Sequence, residues 1–273
     1  MASTASHGHH DFEARVASLD VGLFDLVETQ SNAKDRRSWL AVQRAVREAG
    51  SSFVYLEIGS YLGGSLQQYL QDQKCRRIYS IDNRTRDNRH RGNSEQVMLD
   101  NLRTVAPEEM HKLVCFGTDA RCVPDSGIED AADICFIDGR HTHEAVLSDF
   151  AFCLRVCASD AVIVFHDAGA TRSGIAACLR LLRQSRRVFI ALKLPGETFV
   201  AALWGSPVGS DTRVRSLAVA VNGERWLRTA GLSRQARRHV PPALKPALAV
   251  VRNRLWGVSG TQADAAAATG LRR

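Results

Sequence analysis

Two apolar runs, Arg187 to Leu192 and Thr198 to Trp204, are separated only by Lys193-Leu194-Pro195-Gly196-Glu197. No other feature narrows the fold as much, because a parallel crossover needs about a dozen residues and so strands this close, with a Pro-Gly turn between them, must pair antiparallel as a hairpin. Upstream, short apolar runs alternate with helical patterns. Phe53 to Ile58, Arg77 to Ile81, Lys112 to Phe116, Asp133 to Ile137 and Ala161 to Phe165 read as strands; Gly64 to Gln73, Ser94 to Thr104, Thr142 to Val156 and Ser173 to Gln184 read as the helices between them. Strands interleaved with helices imply βαβ units, right-handed crossovers and a parallel sheet. The expected fold is therefore α/β, a doubly wound, seven-stranded, mostly parallel sheet of Rossmann-like type, closed by an antiparallel terminal hairpin.

Ahead of the sheet, apolar residues recur at three- and four-residue steps in Asp11 to Thr29 (Phe12, Val16, Leu19, Leu23) and in Lys34 to Glu48 (Leu40, Val42, Val46). They predict two amphipathic helices forming a cap or a contact in a homo-oligomer. After Trp204, the residues Ser206, Pro207, Gly209 and Ser210 read as a linker. The expected division is a helical cap over 1–50, a ligand-binding domain over 51–205 and a basic extension over 206–273. A chain of 273 residues accommodates one such domain of about 200 residues plus extensions.

Charge is unevenly placed. The net +7 of the chain divides into +9 for residues 206–273 and −2 for the rest. A basic tail suits an anionic surface, but it lacks the interleaved aromatics of a nucleic-acid stacking surface, so no nucleic-acid partner is expected. Val240 to Trp256 has a basic amphipathic pattern compatible with peripheral membrane contact, although Pro241, Pro242 and Pro246 interrupt it. A solvated extension is the plainer reading. The longest apolar runs, such as Ala161 to Phe165 and Ala247 to Val251, fall far short of the roughly 20 residues that span a bilayer, and Met1 to His10 has no signal-peptide core. A cytoplasmic location is expected. The seven Cys include no C-x-x-C pair and sit mostly in apolar segments (Cys115, Cys135, Cys153, Cys157, Cys178), which reads as core packing rather than metal ligation, even for Cys153 and Cys157 at i, i+4.

The first strand ends in Glu57-Ile58-Gly59-Ser60-Tyr61-Leu62-Gly63-Gly64-Ser65. Glycines after a buried strand let the backbone turn tightly and approach a ligand, and ligands of open α/β sheets bind outside the carboxyl ends of the strands. Asp82, at the end of the second strand, follows Gly59 by 23 residues, the offset at which an acid reaches the ribose hydroxyls of an adenosine-containing ligand. Asp119, after the third strand, is placed to meet an adenine edge or simply to form a turn. A dinucleotide site would show a second glycine two residues after Gly59, where this chain has Tyr61.

The densest cluster is Asp138-Gly139-Arg140-His141-Thr142-His143-Glu144, ending the fourth strand, echoed by His166-Asp167 at the end of the fifth. Parallel neighbours lie about 4.8 Å apart, so Asp138 and Asp167 are expected to converge at one sheet edge, and paired carboxylates suit a hard ion such as Mg²⁺. Four arginines in Arg84 to Arg91 offer planar forks for an anionic group, or form a solvated loop.

The spacing Glu57-x-Gly59-x-x-x-Gly63 resembles the first motif of class I S-adenosylmethionine-dependent methyltransferases. The runs at Asp138 to His141 and at His166-Asp167 resemble the family that includes macrolide-sugar O-methyltransferases, cephalosporin-hydroxylase-type proteins and glycolipid rhamnosyl O-methyltransferases, over roughly Phe53 to Trp204. The resemblance implies S-adenosylmethionine bound at Glu57, Gly59, Ser60, Gly63, Asp82 and Asp119, Mg²⁺ held by Asp138 and Asp167 with His166 as a further ligand, and His141 as general base. The chain departs from the family at His166, where metal-binding relatives often carry another acid, and at His143, where an aromatic Tyr is common. The function implied is O-methylation of a hydroxyl on a sugar, a glycosylated natural product or a glycolipid, with residues 51–205 as the catalytic domain. Two alternatives stay open at this point: a catalytically silent cofactor-binding scaffold, and a nicotinamide-dependent oxidoreductase, disfavoured by Tyr61 and by the hairpin.

Overall fold

The computed structural model describes residues 11–84 and 94–229. Seven strands form one sheet: β1 (Phe53–Ile58), β2 (Cys75–Ile81), β3 (Leu113–Phe116), β4 (Ala132–Ile137), β5 (Cys157–Phe165), β6 (Phe189–Lys193) and β7 (Phe199–Leu203), in the order β3-β2-β1-β4-β5-β7-β6. The first five are parallel, while β7 runs antiparallel to β5 and β6 antiparallel to β7. The short link thus forces the hairpin that its length requires, and Leu194 N–H donates to the Thr198 carbonyl across it at 3.1 Å. The strand order reverses between β1 and β4, and a ligand crevice is expected beyond their carboxyl ends.

Alternation along β1 decides which helices cover which face. Val54, Leu56 and Ile58 point into a core shared with α5 (His143–Val156) and α6 (Arg172–Gln184), whereas Phe53 and Tyr55 point into one shared with α2 (Ala33–Ala49), α3 (Gln67–Gln71) and α4 (Ser94–Val105). Both faces are covered, as a parallel sheet requires. α2 packs directly on the sheet. Trp39 from this helix reaches Thr198 on the hairpin, its indole N–H donating to Oγ1 at 3.1 Å.

Three expectations change. The helix predicted over Asp11 to Thr29 (α1) stops at residue 17, where Leu19 adopts φ 56° and Asp20 caps a short 3-10 turn, Val21–Phe24, so the apolar periodicity continues through a break in the backbone. Chain past Trp204 continues the domain as far as Thr229, with Val208 and Val214 buried in one core and Ala220 and Trp226 in the other. Cys153 and Cys157 do not share a helix face, because Cys157 opens β5; both are free thiols. Val240 to Trp256 and Arg86 to Arg91 lie outside the described residues. No described helix is long and apolar enough to cross a membrane.

Candidate active site

A cavity of about 850 Å³ opens at the carboxyl edge of β1, β2, β4 and β5. Its rim is the glycine turn after β1, Asp82 to Arg84 after β2, Thr118 to Arg121 after β3, Asp138 to Thr142 after β4, His166 and Asp167 after β5, and the segment 28–31 from the N-terminal side.

Gly59 has φ 98°, and a Cβ there would stand 2.3 Å from the carbonyl oxygen of Asp138, so the residue is required both by its backbone conformation and by the closeness of β4. Tyr61, also left-handed at φ 44°, turns its N–H to Asp82 Oδ2 at 2.8 Å. Asp82 accepts a second backbone N–H, from Arg84 at 2.9 Å, and still lines the cavity with lone-pair capacity to spare. The Arg84 guanidinium reaches back to the Tyr61 carbonyl. Ser60 is buried against Ser80, with the hydroxyl oxygens 2.8 Å apart, and Gly63 sits behind the turn against Met98 and Leu102.

Glu57 lies beneath the cavity and not on its wall. It is fully buried, one carboxyl oxygen facing the Tyr55 hydroxyl at 2.7 Å and the other the Ser65 hydroxyl. Burial pushes its pKa up to about 8. The expected contact with a cationic ligand is replaced here by a brace between β1 and the turn. Asp119 is on the wall, where it caps its own turn and takes both arms of the Arg121 guanidinium at 2.9 and 3.0 Å, which holds its carboxyl below the usual range.

Asp138 and Asp167 converge as the strand spacing predicts, and His141 joins them. His141 Nε2 lies 3.1 Å from Asp167 Oδ2 and 3.6 Å from Asp138 Oδ1. Donor atoms of Asp138, His141 and Asp167 all fall within 4.8 Å of one another. Such a grouping of donors at one edge of the sheet is a candidate site for a small hard cation. The two carboxylates are the donors such a hard ion prefers. Asp167 is held in this position by a left-handed backbone, φ 48°.

His166 departs from its expected place as a ligand. Its Nδ1 is 2.9 Å from Asp138 Oδ1, and its Nε2 faces Asp35 of α2 at 3.6 Å. Burial alone would lower its pKa, but Asp138 and Asp35 outweigh it and raise the group to about 10. Asp138 in turn stays ionised despite burial, because His141 and His166 hold its pKa down. His141 is raised, chiefly by Asp138, with Asp167 adding to it. His143 opens α5 and is not on the cavity wall.

Three contributors escaped the sequence reading. Asp35 carries a helix-capping signal, as part of the Asn32/Asp35 capping box, but its second duty is to the hairpin: it accepts the Glu197 N–H at 2.6 Å while facing His166. Gln67 gathers the N-terminal segment onto the glycine turn. It donates to the carbonyls of Phe24, Val27 and Gly64 at 3.1, 2.8 and 2.7 Å and accepts the N–H groups of Leu26 and Val27 at 3.1 and 3.0 Å. Asp149 is buried on α5 in line with Val146, Phe150 and Cys153; an acid on an apolar stripe was the available signal.

Residues 56–168 match the family model described as a methyltransferase domain. No curated protein matches the sequence. Among solved structures the chain is similar to a TDP-rhamnose 3'-O-methyltransferase of calicheamicin biosynthesis (14% identity, 72% of this chain and 94% of that one, TM-score 0.52). It is also similar to an O-methyltransferase from Bacillus cereus in complex with S-adenosylhomocysteine (14% identity, 71% and 90%, TM-score 0.48). A third is the O-methyltransferase TomG from Streptomyces achromogenes in complex with S-adenosylmethionine (16% identity, 71% and 89%, TM-score 0.46).

Proposed function

For a chain that carries a methyltransferase domain of the class I S-adenosylmethionine-dependent type, we propose O-methylation of a hydroxyl on a sugar or a glycosylated acceptor, with His141 receiving the hydroxyl proton. The observation that carries this reading is the placement of His141: its side chain is 45% exposed at the cavity rim, with Nε2 directed at Asp167 and Asp138. With its proton on Nε2, which faces Asp167 at 3.1 Å, the neutral ring keeps a lone pair on Nδ1 for the incoming proton. Neighbouring carboxylates make that ring a stronger base than a free imidazole.

When bound, S-adenosylmethionine supplies a methyl group on a cationic sulfur, so that the carbon–oxygen bond forms as the carbon–sulfur bond breaks and the hydroxyl proton leaves. Asp82 is the candidate for the ribose and the turn from Gly59 to Gly63 for the amino acid end. Asp138 and Asp167 are the candidates to hold Mg²⁺, which when bound would draw in acceptor hydroxyls and lower their pKa. His166 then serves Asp138 as a charged hydrogen-bond donor from the protein side. The acceptor class rests on the family resemblance and on the TDP-rhamnose enzyme that shares the fold. Arg140 on the cavity wall suits an acceptor with an anionic group, such as a nucleotide sugar or a phosphate-linked glycolipid, while Arg84 and Arg121 are engaged by the Tyr61 carbonyl and by Asp119.

Purified protein is expected to bind S-adenosylhomocysteine in a calorimeter and to transfer labelled methyl to members of a panel of sugar nucleotides and glycosylated acceptors. His141→Ala should keep cofactor binding and lose roughly 10²- to 10⁴-fold in turnover. Chelation should abolish transfer and added Mg²⁺ restore it. Turnover within a few-fold of wild type in His141→Ala removes the base assignment, and full activity after exhaustive chelation removes the metal.

A further inference from the structure

Trp204 is the most exposed large apolar side chain among the described residues, at 75%, and the reaction above gives it no part. Tryptophan is highly buried on average, and an indole left in water is typical of a contact surface. It does not stand alone. Leu203 pairs with Phe189 in the hairpin, so Trp204 and Val188 form the next cross-strand pair; the Trp204 N–H donates to the Val188 carbonyl at 2.9 Å, and the two side chains share a face. Val188 is itself 58% exposed. The turn that leads into it from α6 is rich in arginine. Arg180, Arg183, Arg186 and Arg187 are all exposed, and the Arg186 and Arg187 N–H groups fix the turn by donating to the Arg183 and Leu182 carbonyls at 3.0 and 2.9 Å. The neighbouring acids are Glu224, which pairs with Arg183, and Asp160, beside Gly205, and the patch keeps a positive balance.

We propose that this patch docks on an anionic membrane surface, with Trp204 and Val188 entering the interface and the arginines meeting the lipid headgroups. Charge decides the occupant. A second copy in a two-fold contact would set the arginine-rich turn against itself, which like charges oppose. An anionic bilayer complements it instead. Each arginine near such a surface adds attraction, with its guanidinium at the phosphates and its aliphatic stem against apolar neighbours, and an indole sits favourably at the headgroup level. A nucleic acid would also take arginines, but beside the indole it would meet Val188, an aliphatic side chain with no stacking face. The patch lies at the amino end of the parallel strands, because Phe199 pairs with Phe165 at the carboxyl end of β5 and β7 runs back from there to Trp204. The cavity opens at the opposite edge of the sheet. A docked molecule therefore keeps its cavity open to solution.

Cosedimentation of the full chain with vesicles tests this. Wild type is expected to bind vesicles of mixed phosphatidylcholine and phosphatidylglycerol, to ignore pure phosphatidylcholine, and to be released at about 1 M salt, where the screening length falls to about 3 Å. Trp204→Ala should weaken binding about tenfold, and Arg186→Gln combined with Arg187→Gln about thirtyfold. Both variants should melt within about 2 °C of wild type, because the altered side chains are exposed. Wild type that ignores the anionic vesicles, or binds both lipids equally, overturns the assignment. So does unchanged binding in either variant, since the basic tail alone would then hold the membrane. A dimer in sedimentation equilibrium that Trp204→Ala converts to monomer gives the patch to a second copy and overturns it as well.

Discussion

Gln67→Glu changes one side-chain atom, yet it is expected to loosen a whole wall of the cavity. The Gln67 amide nitrogen is shared among three carbonyls, those of Phe24, Val27 and Gly64, while its oxygen accepts two N–H groups, from Leu26 and Val27, and the residue is fully buried. A carboxylate keeps the acceptor but sets a second oxygen against three carbonyl oxygens. At about 1 kcal/mol net for each hydrogen bond lost or inverted, and more for a donor-free buried contact, the change costs roughly 4 kcal/mol if the segment stays in place. For a domain of this size that is a fall in Tm of roughly 8–16 °C. If the segment detaches instead, the global cost shrinks and the loss moves to the ligand, since residues 28–31 line the cavity. Urea denaturation, hydrogen exchange over residues 24–31 and S-adenosylhomocysteine titration together separate the two outcomes. Gln67→Glu with a Tm within about 2 °C of wild type, unchanged exchange and unchanged affinity refutes the clamp.

Glu57 stays protonated in the folded state up to about 8, against 4.5 when exposed, so between these values the folded chain binds the extra proton and stability falls as pH rises. Glu57→Gln removes that proton linkage, and its urea midpoint is expected to gain on wild type from pH 5 to pH 8; parallel pH dependences count against it. Gly59→Ala places a methyl 2.3 Å from the Asp138 carbonyl at φ 98° and should displace β4 from β1, lowering both Tm and cofactor affinity. At Gly64 the same methyl meets the Glu28 carbonyl at 2.3 Å, so Gly64→Ala should act mainly on residues 28–31, weakening the ligand more than the fold.

The seven strands were legible because each is a short apolar run bounded by polar or turn residues, and a run of that kind has few alternatives to a buried strand. The first helix was misjudged for a physical reason: Phe12, Val16, Leu19 and Leu23 keep a helical period, but Leu19 at φ 56° turns the chain out of the helix, and the side chains find the same core from a different backbone. Motif residues divided in the same way. Asp82, Asp138, His141 and Asp167 reach the cavity because each ends a strand or follows one closely, and strand ends are set by local pattern. Glu57 and His166 are also near strand ends, yet their surroundings come from distant chain: Ser65 and Tyr55 for one, Asp35 on α2 for the other.

By itself, the sequence determined the alternation, the hairpin and which strand ends would carry acids, since these depend on periods and link lengths a few residues wide. Only tertiary structure decided what the hairpin link does for the site. Its Glu197 N–H holds Asp35, its Glu197 carboxylate accepts the Gly169 N–H at 2.7 Å, and so five residues remote from any motif steady both His166 and the turn after Asp167. That brace and the Gln67 clamp depend on which groups are left without water once distant segments close over them. Burial of that kind is a property of the packed chain and has no local signature.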